Sequence, residues 1–404
     1  MSSQYILVLN AGSSSIKYAL FAIPESRRLL WGMIERIGEG LSSHQYHYQT
    51  DQGQQSQQYS QPLADHQQAF HSLKTILECV GFSFSQIAAI GHRVVHGGES
   101  FTEPCIITDK VIHEIRNLIP LAPLHNPANL LGIELAQQLA PDAQQIAIFD
   151  TAFHQTLPDY AYHYAVPIEW YRELQLRRYG FHGTSHRYLA QQAALLLNKP
   201  LINLNLISLH LGNGASACAI QQGKSIDTSM GLTPLEGLMM GTRSGDIDPA
   251  IYPYLNRIKG WSIETINQWL NHHSGLKGIA ASNDMRMIAR FAALGHPQAQ
   301  LARQIFAYRI KKIIGSYLAI MNAPVDAIIF SGGIGEHDAD LRLLCCESLI
   351  HLGIAIDKNK NQSPATFNGR IHIESNPLAI LVIPTDEELA IVLDCQQLLL
   401  AQSN

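Results

Sequence analysis

Paired cysteines at metal-binding spacing, a surplus of basic charge and an apolar run long enough to cross a bilayer are all missing from this sequence. The six cysteines, at positions 79, 105, 218, 345, 346 and 395, contain no CxxC pattern. They read as core thiols in a reducing compartment, which excludes a disulfide framework and a zinc ribbon. Lysine and arginine number 28 against 33 acidic residues, a net charge of −5. Without a basic excess to neutralise phosphates, a dedicated nucleic-acid or anionic-membrane binder is not expected. The longest apolar stretch, Ile313 to Phe330, is broken by Asn322, Pro324 and Asp326, so no segment reads as a membrane span. Met1-Ser2-Ser3-Gln4-Tyr5 lacks the basic start of a signal peptide. HExxH, a nucleophile elbow and an EF-hand loop are absent too, and Lys17 does not lie in a GxxxxGK[ST] loop. The expectation is a soluble cytoplasmic protein without nucleic-acid or membrane partners.

Apolar residues are plentiful. They make up 46% of 404 residues, enough for two or three domains with cores of their own. The β-rich run Tyr5–Leu9 enters the turn Asn10-Ala11-Gly12-Ser13-Ser14-Ser15 and resumes at Ile16–Phe21. Far downstream, Leu206–Leu211, Gly212-Asn213-Gly214-Ala215-Ser216 and Ala217–Ile220 repeat the device. This predicts an internally duplicated α/β unit. Apolar residues at helical spacing predict helices over 128–139, 186–197 and 299–320, with strands at Ile146–Phe149, Ala327–Phe330 and Ile380–Ile383. Strands alternating with helices indicate the α/β class. A boundary is placed near Asp150, giving domains 1–150 and 151–384, with the last helix, 385–404, folding back on the first. Residues 41–69, rich in Gln, His and Ser, are expected to form a solvated hairpin or loop outside any core. Thr385 with Glu388 three residues on reads as a capping box for the last helix.

Chemistry concentrates in loops. Gly-rich turns let backbone N–H groups approach an anion, and serine adds hydroxyl donors, so the two small-residue hairpins suit a nucleotide; each alone is also an ordinary turn. Ser331-Gly332-Gly333-Ile334-Gly335-Glu336 follows a strand without forming GxGxxG. It reads as a nucleoside or ribose contact, or as a turn closing a strand. Five further loops carry Arg, His and Asp, around Gly91–Gly98, Leu124–Pro127, Phe149–His154, Arg178–His186 and Gly241–Pro249. Phosphoryl transfer needs such an inventory, because fixed cations stabilise charge on the moving group's equatorial oxygens.

Leu7–Lys17 and Gly91–Gly98 resemble the two signature motifs of the acetate kinases, and six more blocks resemble that family in the same order: Arg178–His186, His210–Gly214, Asp227–Pro249, Asn283–Arg286, Gly332–Glu336 and Pro384–Leu389. The resemblance spans essentially the whole chain. It implies two duplicated ribonuclease H-like α/β domains, as in the sugar kinases, actin and the heat-shock ATPases, with an interdomain cleft for ATP. It also implies Mg²⁺ (or Mn²⁺), transfer of phosphate between ATP and acetate, and a homodimer.

By the same resemblance Asn10 and Glu387 hold the metal. Arg93 and Arg243 bind carboxylate and transferring phosphoryl, meeting in one crevice. His182 stabilises the transition state, His125 supports it, and Asp150 occupies the position usually given an acid/base role. Acetate is already ionised at pH 7, because carboxyl pKa values lie near about 4. Orienting an arginine or a water is therefore the better task for Asp150. Nucleotide contacts fall on Lys17, His210, Leu211, Gly212, Asn213, Gly214, Asp284, Met285, Arg286, Gly332, Gly333, Ile334, Gly335 and Glu336. Val95, Leu124, Phe181 and Pro234 surround the acetate methyl. Propionate or butyrate kinase is the alternative within the class. An ATP-driven chaperone of the same superfamily and a degenerate homologue are the alternatives outside it. Asp386 stands where the family often has Asn, which adds an acid that either tightens the metal site or improves the cap.

Overall fold

The computed structural model describes residues 4–402; Met1 to Ser3, on which part of the leader reading rests, and residues 403–404 lie outside it. The chain divides into two units, Met1–Ala152 with Asp386–Asn404, and Phe153–Thr385. Among the described residues no helix is long and apolar enough to cross a membrane.

The first unit holds strands β1 (Gln4–Ala11), β2 (Ser15–Ile23), β3 (Arg27–Glu35), β4 (Ser42–Thr50), β5 (Gly53–Gln61), β6 (Ile87–Val94), β7 (Cys105–Ile106) and β8 (Gln144–Phe149). The second holds β9 (Asn205–Leu211), β10 (Ala215–Gln221), β11 (Lys224–Thr228), β12 (Ala327–Ser331) and β13 (Ala379–Val382). The sheet orders are β5-β4-β3-β2-β1-β6-β8-β7 and β11-β10-β9-β12-β13. In the first sheet β1 runs antiparallel to β2 and parallel to β6, which is parallel to β8. In the second, β9 runs antiparallel to β10 and parallel to β12, which is parallel to β13. Strand order and direction match through β3-β2-β1-β6-β8, so the duplication expected from the hairpins is written in the topology.

Period-two alternation explains why the central strands are apolar throughout. Leu7 and Leu9 face one core with Phe70, Leu73 and Leu77 of α1 (His66–Cys79) and Leu135 of α2 (Asn126–Leu139). Ile6 and Val8 face the other, against Ile391, Val392 and Cys395 of the carboxy-terminal helix Glu387–Gln402. Helices α3 (Gly183–Leu197), α4 (Met285–Ala293) and α5 (Pro297–Ile320) belong to the second unit; the carboxy-terminal helix is α6.

Residues 41–69, expected to stay outside any core, contribute to one. They form the β4–β5 hairpin, and His44 is fully buried, with Tyr18 Oη 2.8 Å from its Nε2 and Tyr59 Oη 3.1 Å from its Nδ1. Tyr46, Tyr48 and Tyr59 pack against the core beside α1. Aromatic rings on alternate positions supply the apolar area that aliphatics do not. β5 itself remains largely exposed.

Candidate active site

In the first unit the predicted residues gather at the carboxyl ends of parallel strands, where open α/β sheets bind ligands. Asn10 lies near the end of β1, Arg93 near the end of β6 and Asp150 directly after β8. Asp150 N–H donates to Val94 O at 3.0 Å, fixing the loop at its strand end. The Arg93 guanidinium forks onto this carboxylate, Nε donating to Oδ1 at 2.9 Å and Nη2 to Oδ2 at 2.7 Å. Its Nη1 lies 3.6 Å from Glu387 Oε2, at the start of α6. Burial works against the Arg93 charge, but Asp150 and then Glu387 more than offset it, and the guanidinium is held above its ordinary range. Burial pushes the Asp150 carboxyl up while Arg93 pulls it down; a fork onto both oxygens requires the carboxylate.

Asp386, not Thr385, caps α6. The Leu389 N–H donates to Asp386 Oδ1 at 2.9 Å, and Arg28 Nη2 donates to both Asp386 oxygens at 2.7 and 2.8 Å. Glu388 is taken by Lys17, 2.7 Å away, and by Arg28 at 3.3 Å, so no capping box forms. The Thr385 hydroxyl is engaged elsewhere, 2.8 Å from Ser185 Oγ. Lys17, expected at the nucleotide, is half-exposed in this pair. Val95 is part-buried, Leu124 is 54% exposed, and His125 stands at the start of α2.

In the second unit the β9–β10 turn carries His210 to Gly214. Asn213 O accepts the Gly241 N–H at 2.8 Å, and Asn213 Oδ1 accepts from Asn283 Nδ2 at 3.0 Å. The turn is thereby tied to the loop before α4. Asp284 caps that helix and draws Arg286 back onto itself, Nη2 donating at 2.8 Å, although Arg286 is largely exposed. This partner holds the Asp284 carboxyl down at about 2. Met285 is buried in the same turn. Gly332 to Glu336, expected as a turn, open a short helix, Gly332–His337, after β12. Gly332 has φ +74°, and a Cβ there would fall 2.7 Å from Leu211 O. Only glycine lets the two blocks touch.

Gly214 marks the center of this group of residues. A Cβ on it would lie 3.4 Å from His182 Nε2 and 3.8 Å from Arg243 Nη1. Both side chains therefore border one space, which the missing methyl leaves open. Arg243 is part-buried, and burial lowers its pKa. Its contacts are Pro234 O at 3.4 Å and Met240 Sδ at 3.9 Å; among the described residues it has no carboxylate partner. A guanidinium enclosed without a countercharge is a site for an anion. Phe181, buried, directly precedes His182, and Pro234, part-buried, supplies the carbonyl that Arg243 meets.

The family model described as Acetokinase family matches residues 5–393. The chain belongs to the acetokinase family. An acetate kinase of Syntrophobacter fumaroxidans is 51% identical over 389 residues, covering 95% of this chain and 94% of its own length. A propionate kinase of Citrobacter rodentium is 46% identical over 404 residues, covering 99% and 98%. The crystal structure of Porphyromonas gingivalis acetate kinase superposes with TM-score 0.90 at 38% identity, covering 98% of this chain and 100% of that one. That of a Francisella tularensis propionate kinase reaches 0.90 at 43%, covering 97% and 98%.

Two buried polar residues of this acetokinase chain carry no motif that marks them. Buried Asn129 accepts from Val95 N–H at 3.0 Å and donates to Ala11 O at 2.8 Å, joining the two signature motifs. Buried Arg342 donates to Gly335 O and Glu336 O at 2.8 and 2.9 Å, holding the short helix after β12. The only local signal for either is a polar residue interrupting an apolar helical stripe.

Proposed function

We propose that the protein transfers the γ-phosphoryl group of ATP to acetate, reversibly, to form acetyl phosphate and ADP. The observation that carries this is Arg243, a cation with no carboxylate partner among the described residues, bordering one space with His182 beside Gly214. The acetate oxygen forms the new P–O bond as the bond to the ADP oxygen breaks. Negative charge spreads over the phosphoryl oxygens meanwhile. Arg243 and His182 donate to those oxygens, and they stand pre-organised at the turn before the substrate arrives. Arg93, kept charged by Asp150, binds the acetate carboxylate. Asp150 orients that guanidinium and removes no proton, since acetate has none to give at neutral pH. The β9–β10 turn, the start of α4 and the helix after β12 supply the nucleotide contacts.

Asn10 and Glu387 are oxygen donors, the set a hard divalent cation takes. One carboxylate and one amide oxygen suit Mg²⁺, since that ion keeps several waters and shares phosphate oxygens. Bound there, Mg²⁺ would neutralise charge on the nucleotide phosphates. The same reading makes the enzyme a cytoplasmic homodimer.

Hydroxylamine trapping of acetyl phosphate from ATP, Mg²⁺ and acetate tests the activity; a signal that does not depend on acetate defeats it. Likeness to propionate kinases supports a second reading. One methylene is worth about 1–3 kcal/mol of discrimination. Comparing kcat/KM for acetate, propionate and butyrate decides, and a higher value for either longer acid overturns acetate.

A further inference from the structure

A chain of buried hydroxyls and imidazoles runs behind His182. Ser208 and His210 alternate on β9, and the register sets Ser216 of β10 opposite His210. All three side chains therefore share a sheet face. Against that face comes the start of α3, where His182 and His186 stand one helical turn apart. His186 Nδ1 lies 2.9 Å from Ser208 Oγ, and its Nε2 lies 2.8 Å from Ser216 Oγ. Ser216 Oγ lies 2.8 Å in turn from His182 Nδ1. Ser208, Ser216 and His186 are fully buried.

Each hydroxyl has one hydrogen to give, and that count sets the direction of the chain. His186 is buried between two hydroxyls, and burial drives it towards the neutral form. A neutral ring donates from one nitrogen and accepts at the other. If Ser216 accepted from both rings, its own buried hydrogen would have no acceptor among the described residues, so two arrangements remain in which Ser216 donates. In the first, Ser208 donates to His186 Nδ1, His186 Nε2–H donates to Ser216, and Ser216 donates to His182 Nδ1. In the second every arrow reverses, and the Ser208 hydrogen must find another acceptor. Among the described residues Ser208 Oγ makes no hydrogen bond except that to His186. The reversed chain leaves a buried O–H orphaned, which is destabilising, and the forward chain leaves none.

We propose that Ser216 and His186 are positioning residues that hold neutral His182 as the tautomer with its proton on Nε2, the nitrogen bordering the space beside Gly214. That tautomer turns a donor, not an acceptor, towards the space in which the proposed reaction puts a phosphoryl oxygen. The tautomer follows from the hydrogen-bond direction alone; its use in catalysis rests on the acetate kinase reading.

Long-range ¹H–¹⁵N spectra of the full chain with labelled histidine test the tautomer, and His182→Gln assigns the resonance. Wild-type protein without nucleotide is expected to show the Nε2–H pattern at His182. Ser216→Ala is expected to lose that single tautomer and to lower kcat about 10- to 100-fold, the scale for removing the partner that orients a site histidine, with KM for acetate little changed. His186→Gln keeps a donor at the Nε2 position and is expected to retain more activity than His186→Leu. A wild-type Nδ1–H pattern, or an unaltered His182 signal in Ser216→Ala, overturns the proposal, and both readings stand whether or not His186→Leu folds. If the tautomer is as expected but His182→Gln leaves acetyl phosphate formation intact, it is the catalytic reading of His182 that fails, and with it the functional part of this proposal.

Discussion

At Arg93 the guanidinium is matched by Asp150 and Glu387, whereas at Arg243, among the described residues, burial is met only by a carbonyl and a thioether. The first charge is already paired; the second is the one that the proposed mechanism sets against the phosphoryl oxygens. Arg243→Ala is accordingly expected to lower kcat by about 10²–10³-fold, the scale of losing one preorganised donor. Arg243→Lys keeps the charge but not the planar fork and should recover only part of that loss. Steady-state trapping assays check both, and near-normal turnover in Arg243→Ala would remove this residue from the transfer step. At Asp150 the test is the pH profile. Asp150→Asn should slow the reaction, because Arg93 loses its charged orienting partner, yet leave the profile's shape unchanged. Disappearance of an acidic limb in the mutant would reinstate the carboxylate as a base.

The carboxy-terminal helix α6 presents Asp386, Glu387 and Glu388 at its start, and each has a different task. Asp386 caps the helix and receives Arg28; Glu388 receives Lys17; Glu387 faces Arg93. Replacing Asp386 separates the first two tasks. Asp386→Ala should cost about 1 kcal/mol for the cap and up to about 1 kcal/mol more for the partly exposed pair with Arg28. Asp386→Asn keeps an acceptor for the Leu389 N–H and should cost less than about 1 kcal/mol. Urea titrations of the three proteins measure the difference. Equal loss in both variants would mean that the ion pair, rather than the cap, holds the helix start. Asp386 thus has its partner in Arg28, 358 residues away in the sequence, and nothing near Asp386 in the sequence announces it.

Across the whole molecule, the readable features were those carried by local pattern. Leu7 and Leu9 against Ile6 and Val8 encode a strand buried on both faces, and the twin hairpins encode the repeated sheet. The site loops were legible because Gly, Arg and His interrupt apolar strands where those strands end. What stayed hidden depends on partners distant in sequence. His44 is buried by Tyr18 and Tyr59, Asn129 by Ala11 and Val95, and His186 by Ser208 and Ser216. These hidden imidazoles have a collective consequence. Burial pushes His44, His92, His96 and His154 down to about 4. In the unfolded chain each titrates near about 6.5. Between those values the unfolded state binds more protons than the folded one, so stability rises with pH. Each group contributes in full above about 6.5, and the contribution is lost as pH falls towards 4, at up to about 1.4 kcal/mol per pH unit. Buried Asp150 and part-buried Asp227 act in the opposite sense, since desolvation raises them, but they are outnumbered by the imidazoles. His44, His92 and His96 lie in the first unit and His154 in the second. Scanning calorimetry between pH 7.5 and 5 should therefore show every unfolding transition moving to lower temperature as acid is added. A transition that keeps its midpoint across that range would mean that the unit concerned lets its histidines protonate while still folded.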